Sequence, residues 1–321
     1  MTLDMLGQGL FEYDFKALRH HDGQGFKLYK ELMKGLSDPT VAFFPILTKF
    51  PIPKIKRLMA HVEDFNTLLY SILEDKRREY REKLANDTFN ERSADLLTLM
   101  IKATYEDQHL TDDELRSNLL VFFIAGHDTT ANSLSSILCY LALYPKYQEK
   151  AREEVRSVLG DDPRVYPTFE QQAKELPFIN AIIKEAMRLA PPVPSLSIRE
   201  NTKPVEFRGK LFPTGTKFAP HVYSMQRSKS YWSDPEVFKP ERFLHEDKLT
   251  PNSWLAFGNG SRQCIGMNFS LMEQRVSLSM LLRRYSWSLP KDSIHTNGIL
   301  KISSGALLAP KTSELRFEHL T

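Results

Sequence analysis

The chain has 321 residues, 41% of them hydrophobic and 26% charged, with a formal net charge of +3. This is the composition of an ordinary soluble globular protein, long enough for one large domain or two smaller ones around a sizeable core. The small charge, with no Lys/Arg-rich patch interleaved with aromatics, excludes nucleic acid as an expected partner. Two cysteines, Cys139 and Cys264, give no disulfide framework and no C-x-x-C knuckle, which fits a reducing compartment.

No signal peptide opens the chain, since "MTLDMLGQGL" lacks both a basic start and a continuous apolar stretch. The first half reads as mainly helical, with a proline-punctuated connection from Pro39 to Pro53. His20 and His21, in a polar turn before it, read as solvated. Apolar residues then recur at helical spacing over 55–84, and the charge run from Glu74 to Lys83 reads as a solvated helix face. The next helix starts at "TDDEL", where Thr111 caps and Glu114 completes a capping box. It runs to Tyr144, where Pro145 stops it, and at about 1.5 Å per residue it is roughly 50 Å long.

Residues 119–143 of this helix are apolar in two halves, split by His127, Asp128, Thr129, Thr130, Asn132 and Ser133. A membrane-spanning helix needs about 20 predominantly apolar residues, so the segment reads as a buried helix with a polar interruption. Helices follow over 145–160, closed by Gly160, and over 175–194, ended by Pro191 and Pro192. From Ile198 the texture turns to short strands: "VEFRG", "LFPTGTKFAP" and a final "GALLAPKTSELRFEHL". One more helix follows Cys264 and is expected to carry Met267, Leu271, Met272, Val276, Met280 and Leu281 inward. The expected fold is mostly α with a small β part, a single α+β domain over 1–321.

The loop "FGNGSRQCIG", 257–266, holds Cys264 two positions after an arginine and directly ahead of a helix. As a dinucleotide turn it fails, because Gly258 and Gly260 fit G-x-G-x-x-G but position 263 is glutamine and no βαβ unit surrounds it. A zinc site needs more sulfur or histidine at ligand spacing, and a cysteine protease has its own local signature; neither is present. The residues suit a thiolate that ligates haem iron. Glycines allow backbone to approach a flat macrocycle closely, and the following helix aims its N-terminal amides at the sulfur. Arg262 is placed to pair with a carboxylate at the cofactor rim, and Phe257 to shield the sulfur from water.

This loop resembles the haem-binding signature F-x-x-G-x-R-x-C-x-G of the cytochrome P-450 monooxygenases at all five fixed positions: Phe257, Gly260, Arg262, Cys264 and Gly266. Three further segments agree in order and spacing. "AGHDTT", 125–130, resembles the oxygen-activation segment [AG]-G-x-[DE]-T-[TS]. On the residues alone, Ala125 and Gly126 leave room above an iron for a diatomic ligand. The Thr129 hydroxyl can bond the Ala125 carbonyl and loosen the helix, and Asp128 and Thr129 can relay protons. His127, at the variable position, reads as neither ligand nor base. "KEAMR" puts Glu185 and Arg188 on one helix face and is similar to E-x-x-R, while "PERF" contributes Arg242 to the same ion cluster, which would brace the cysteine loop. Arg199, in "SIRE", resembles the basic partner of a haem propionate. Cys139 reads as core, and Trp232, Trp254 and Trp287 as packing or loop anchors.

The resemblance implies the cytochrome P-450 fold, of a eukaryotic microsomal-like type, without its N-terminal portion. "MTLDMLGQGLFEYDFKAL" is similar to a segment well inside an intact member, with Glu12 where glycine is usual. The membrane anchor, the first sheet strands, the early substrate loop and a W-x-x-x-R helix are expected to be missing, which disfavours haem retention. The resemblance also implies haem b as cofactor, Cys264 as axial ligand, and Asp128 and Thr129 as catalytic residues. The implied reaction inserts one atom of dioxygen into a lipophilic organic substrate, with electrons from an NADPH-dependent flavin reductase. Selectivity is expected in the missing loop and in residues 38–55 and 193–200. An intact relative would sit at the endoplasmic-reticulum membrane, although no anchor is expected within these residues. The alternatives are a haem–thiolate rearrangement or dehydration enzyme, against which the Asp128–Thr129 pair argues, and a truncated, non-catalytic fragment.

Overall fold

The computed structural model describes residues 1–18, 24–36, 44, 46, 50, 52–107, 110–162, 164–303 and 305–320. They group into two compact units, Met1–Asp128 and Thr129–Thr321. His20, His21 and most of the connection from Pro39 to Pro53 lie outside the described residues.

The first unit is built from helices: α1 Thr2–Phe11, α2 Gln24–Leu36, α3 Pro53–Ala85, α4 Leu96–Asp107, and residues 112–128 of the long α5, Asp112–Leu143. Pro53 opens α3 at a position whose N–H would lack a helical partner anyway. The capping box at the head of α5 forms, with Glu114 N–H donating to Thr111 Oγ1 at 3.3 Å and Thr111 N–H donating to the Glu114 carboxylate at 2.7 Å. The core is aromatic. Phe123 of α5 meets Phe11 at 4.7 Å, Phe15 edge-on at 5.0 Å and Phe65 of α3 at 6.5 Å between ring centres. Such pairs contribute about 0.5–1.5 kcal/mol each beyond their burial.

The charge run at 74–83 is only partly solvated. Lys76 and Tyr80 continue the inward stripe of Leu69, Ile72 and Leu73. The Lys76 ammonium donates to Glu12 at 2.5 Å and to Asp95 at 3.0 Å. Glu12 closes α1 in the left-handed region, φ 50° and ψ 32°, which costs a residue with a side chain about 1–2 kcal/mol. Its carboxylate bond to Lys76 gives a reason for glutamate there rather than glycine.

The second unit holds residues 129–143 of α5, then α6 Pro145–Leu159, α7 Phe169–Lys174, α8 Pro177–Leu189, the short α9 Val222–Met225, and α10 Met267–Arg284. Pro145 and Pro177 each start a helix, and Gly160, at φ 71°, ends α6. The Glu154 carboxylate of α6 accepts the N–H groups of Phe178 and Ile179 at 2.7 and 2.9 Å, capping α8, which has no side-chain cap of its own. Among the described residues six short strands pair antiparallel: β1 Arg199–Glu200 with β4 Lys217–Phe218, β2 Val205–Phe207 with β3 Lys210–Phe212, and β5 Tyr285–Ser288 with β6 Arg316–His319. Residues of α5, α6, α8 and α10 form the core, among them Ile137, Cys139, Ile182 and Leu278. The Trp287 indole N–H donates to the Leu138 carbonyl at 2.9 Å.

α10 departs from the sequence expectation. It buries Leu271, Leu278 and Leu282 together with Glu273, Gln274, Ser277, Ser279 and Arg283, and leaves Met272, Val276 and Met280 half-buried. Several of the inward polar groups, though not Glu273, have partners that apolar periodicity cannot reveal. Ser133 donates to Gln274 at 2.8 Å, Thr130 and Ser270 share a bond of 2.9 Å, and Arg283 donates to the carbonyls of Asp162 and Val165. A hydrogen-bonded polar stripe therefore replaces the expected row of methionines.

Candidate functional site

The last turn of α8 carries Glu185 and Arg188, both with 0% of the side chain exposed. Arg188 Nε donates to Glu185 Oε2 at 2.6 Å, and Nη2 donates to Oε1 at 2.9 Å, a bidentate pair. The remaining guanidinium N–H groups donate to the carbonyls of Gln226, Pro235 and Val237 at 2.9, 2.7 and 3.3 Å. Glu185 Oε1 also accepts the Lys239 N–H at 2.8 Å and lies 3.4 Å from Arg242 Nε. Glu185, Arg188 and Arg242 thus share one cluster. Gln226 extends it, donating to the Met187 and Arg188 carbonyls at 3.1 Å each and accepting the Leu255 N–H at 2.7 Å. Leu255 stands two residues before Phe257, so one buried amide side chain ties the ion pair to the cysteine loop. Sequence reasoning missed Gln226, because a lone glutamine in a connecting segment belongs to no motif.

The loop itself turns on two glycines. Gly258 and Gly260 have φ of 70° and 71°, a region in which a Cβ is strained. Cys264 N–H donates to the Phe257 carbonyl at 2.9 Å and closes the loop. Arg262, Gln263, Cys264 and Ile265 face outward, Ile265 with 89% of its surface exposed. Phe257 is half-buried instead, edge-on to Trp254 at 6.0 Å, and anchors the root of the loop. Gly266 caps α10 without a side-chain hydrogen bond, which leaves the first-turn amides of that helix facing the loop. Leu196 packs beside Gly258, and the exposed Arg199 of β1 follows three residues later. Among the described residues no three His, Cys, Asp or Glu side chains gather to hold a bare metal ion. A single exposed sulfur, with the apolar Leu196 beside the loop and Arg262 two residues before the cysteine, fits a metal already held in a flat organic ring.

Residues 125–128 of α5 belong to the first unit. Ala125 is exposed. Gly126 does not leave open space, because a Cβ there would meet Leu6 Cδ1 of α1 at 2.6 Å. The glycine lets α1 approach α5 on that side of the helix. Burial raises the pKa of the Asp128 carboxyl. Burial also takes the His127 ring down to about 4, so it is neutral at physiological pH. Thr129, the first residue of the second unit, is half-buried.

The model of the cytochrome P450 family matches residues 1–317. The chain belongs to the cytochrome P450 family. It is 39% identical over 196 residues to cytochrome P450 4A14 of Rattus norvegicus, an alignment that covers 60% of this chain and 38% of the relative. It is 38% identical over 212 residues to cytochrome P450 4B1 of Homo sapiens, covering 65% and 41%. To cytochrome P450 97B2, chloroplastic, of Glycine max it is 31% identical over 328 residues, covering 90% and 56%. The alignments thus span about two-fifths to just over half of these relatives. The crystal structure of cytochrome P450DA heme domain superposes with a TM-score of 0.82 at 24% identity, covering all of this chain and 66% of that one, which shows the P450 fold.

The P450 family is one of haem-thiolate enzymes that use dioxygen, an organic substrate and a redox partner. Among the described residues no helix is long and apolar enough to cross a membrane. One further group of this P450 chain escaped sequence reasoning. Glu273 of α10 is 2% exposed, neither of its oxygens is hydrogen-bonded, and burial raises it to about 8. No apolar stripe flags it in the sequence, since helical geometry puts Glu273 on the far side of α10 from Leu271 and Leu278.

Proposed function

We propose that this chain forms the haem-binding, dioxygen-activating part of a haem–thiolate monooxygenase acting on a lipophilic organic substrate. The observation that carries the reading is the exposed Cys264 thiol on a glycine-turned loop, anchored through Gln226 to a fully buried ion pair. Haem b, when bound, supplies an iron at which dioxygen is reduced and one of its atoms is transferred to the substrate. Cys264 holds that iron as a thiolate, and the N-terminal end of α10 favours its negative charge. Gly258 and Gly260 let the ring lie close to the backbone, with Gly266 behind the sulfur, and Phe257 keeps water from the root of the loop. The guanidinium groups of Arg262 and Arg199 pair with carboxylates on the cofactor edge. Asp128, whose affinity for a proton burial raises, takes up a proton at its carboxylate and hands it on through the adjacent Thr129 hydroxyl.

In this reading an NADPH-dependent flavin reductase delivers the electrons, and the full-length protein works at the endoplasmic-reticulum membrane. The test supplies the haem-loaded protein with such a reductase, NADPH, labelled dioxygen and a linear alkyl probe. One labelled oxygen atom per product molecule is expected. A product without label overturns the monooxygenase reading.

A further inference from the structure

The polar turn of α5 in the first unit surrounds Asp128 with three residues, Thr2, Tyr29 and His127, that this reading leaves unused. His127 Nδ1 lies 2.5 Å from the Thr2 hydroxyl of α1. On the other side of the ring, His127 Nε2 lies 3.8 Å from Asp128 Oδ1. The Tyr29 ring of α2 closes against the imidazole, with centres 5.1 Å apart and planes at 68°. Tyr29 is buried, and its hydroxyl makes no hydrogen bond of ordinary length and angle. Burial first, and then the Asp128 charge and the hydroxyl's approach to that carboxyl, push the phenol above its usual range.

A neutral imidazole carries one proton, on either nitrogen. With the proton on Nδ1, the Nε2 lone pair would face a carboxylate, and two electron-rich groups would repel. With the proton on Nε2, the same contact becomes attractive, and the Thr2 hydroxyl is free to donate to Nδ1. We propose that Thr2 and His127 are positioning residues for Asp128: the Thr2 hydroxyl fixes the imidazole with its proton on Nε2, facing the Asp128 carboxyl, while Tyr29 walls the ring in place. Its catalytic meaning rests on the assignment of Asp128 to proton delivery.

The neutrality of the ring matters to that role. Burial holds His127 at about 4, with Asp4 of α1 acting in the opposite direction. An imidazolium beside Asp128 would hold the carboxyl in its ionised form. A neutral N–H orients the group and leaves it able to take up and release a proton. Sequence reading set His127 aside as a variable position; its partners come from α1 and α2, which lie about a hundred residues or more away in the chain.

The test uses the chain labelled with 15N-histidine at neutral pH, without haem, and assigns His127 by the signal lost in His127→Gln. A single neutral form is expected, with Nδ1 unprotonated and Nε2 protonated. Thr2→Val should move the nitrogen shifts toward the average of two tautomers, and Thr2→Ser should restore them. Asp128→Asn should shift the Nε2–H proton resonance. An Nδ1–H form in the wild type overturns the inference, as does a Thr2→Val spectrum identical to wild type or an unmoved Nε2–H signal in Asp128→Asn. Because these spectra need no haem, the inference fails or stands separately from the monooxygenase reading, which the carbon monoxide spectrum of the haem-loaded protein decides.

Discussion

Replacing Arg188 by methionine removes the guanidinium while keeping a long apolar stem in the same space. Glu185 would then be a fully buried carboxylate left with the Lys239 N–H at 2.8 Å and Arg242 Nε at 3.4 Å. The carbonyls of Gln226, Pro235 and Val237 would each lose a donor. Breaking one side of a buried ion pair costs about 3–5 kcal/mol, and each orphaned carbonyl about 1 kcal/mol or more, with overlap rather than addition in one network. A loss of about 4 kcal/mol lowers the folded-to-unfolded ratio by roughly a thousandfold. Equilibrium urea unfolding can follow it through Trp232, a buried indole whose ring centre is 5.0 Å from the Arg188 guanidinium carbon. With a urea slope of about 2–3 kcal/mol per molar, the midpoint should fall by roughly 1.5 M at unchanged slope. Adding Glu185→Leu should return part of the loss, because the uncompensated charge is then gone. A midpoint shift below about 0.3 M, or a double variant weaker than both singles, would refute the view that this pair braces the loop from a buried site.

Other substitutions read separate parts of the structure. Gly126→Ala drives a methyl into Leu6 and should cost about 1–3 kcal/mol, and a double-mutant cycle with Leu6→Ala should show favourable coupling; additivity would mean that the two side chains do not meet. At Glu12, held at φ 50°, both Gly and Ala lose the bond to Lys76, but only Ala keeps the strain, so Glu12→Gly should be the more stable by about 1 kcal/mol in thermal unfolding; equal stability would remove the strain argument. Glu273 sets a pH dependence. Below about pH 4.5 the carboxyl is protonated in both states, and from there to about 8 only the unfolded chain ionises it, so stability falls as pH rises through that window. Glu273→Gln should flatten this slope, by up to a few kcal/mol at its upper end, and an unchanged stability–pH curve would contradict the buried, unpaired carboxyl.

The cysteine loop was legible because its requirements are local: glycine at positive φ, an exposed sulfur and a helix directly behind it all fall within ten residues. The Glu185–Arg188 pair was legible for the same reason, since the i, i+3 spacing fixes both side chains on one face of α8. What escaped depends on partners distant in the chain. Gln226 is informative only through its bonds to Met187, Arg188 and Leu255. The inward face of α10 is set by polar partners on α5, so a hydrophobic pattern pointed to Met272, Val276 and Met280 instead. Lys76 lies inside a charge run that reads as solvent-facing, yet helical geometry turns it inward to Glu12 and Asp95. The neighbour that leaves no room for a Cβ at Gly126 is Leu6 of α1, which no local pattern around residue 126 reveals.

The proposed bond from Cys264 to haem iron is tested most directly by the spectrum of the reduced, haem-loaded protein under carbon monoxide. The strongly red-shifted Soret band of a thiolate-ligated iron is expected in the wild type, with Cys264→Ala losing that band. A Cys264→Ala variant that keeps it, or a wild type whose band lies where nitrogen-ligated haem absorbs, would contradict the account.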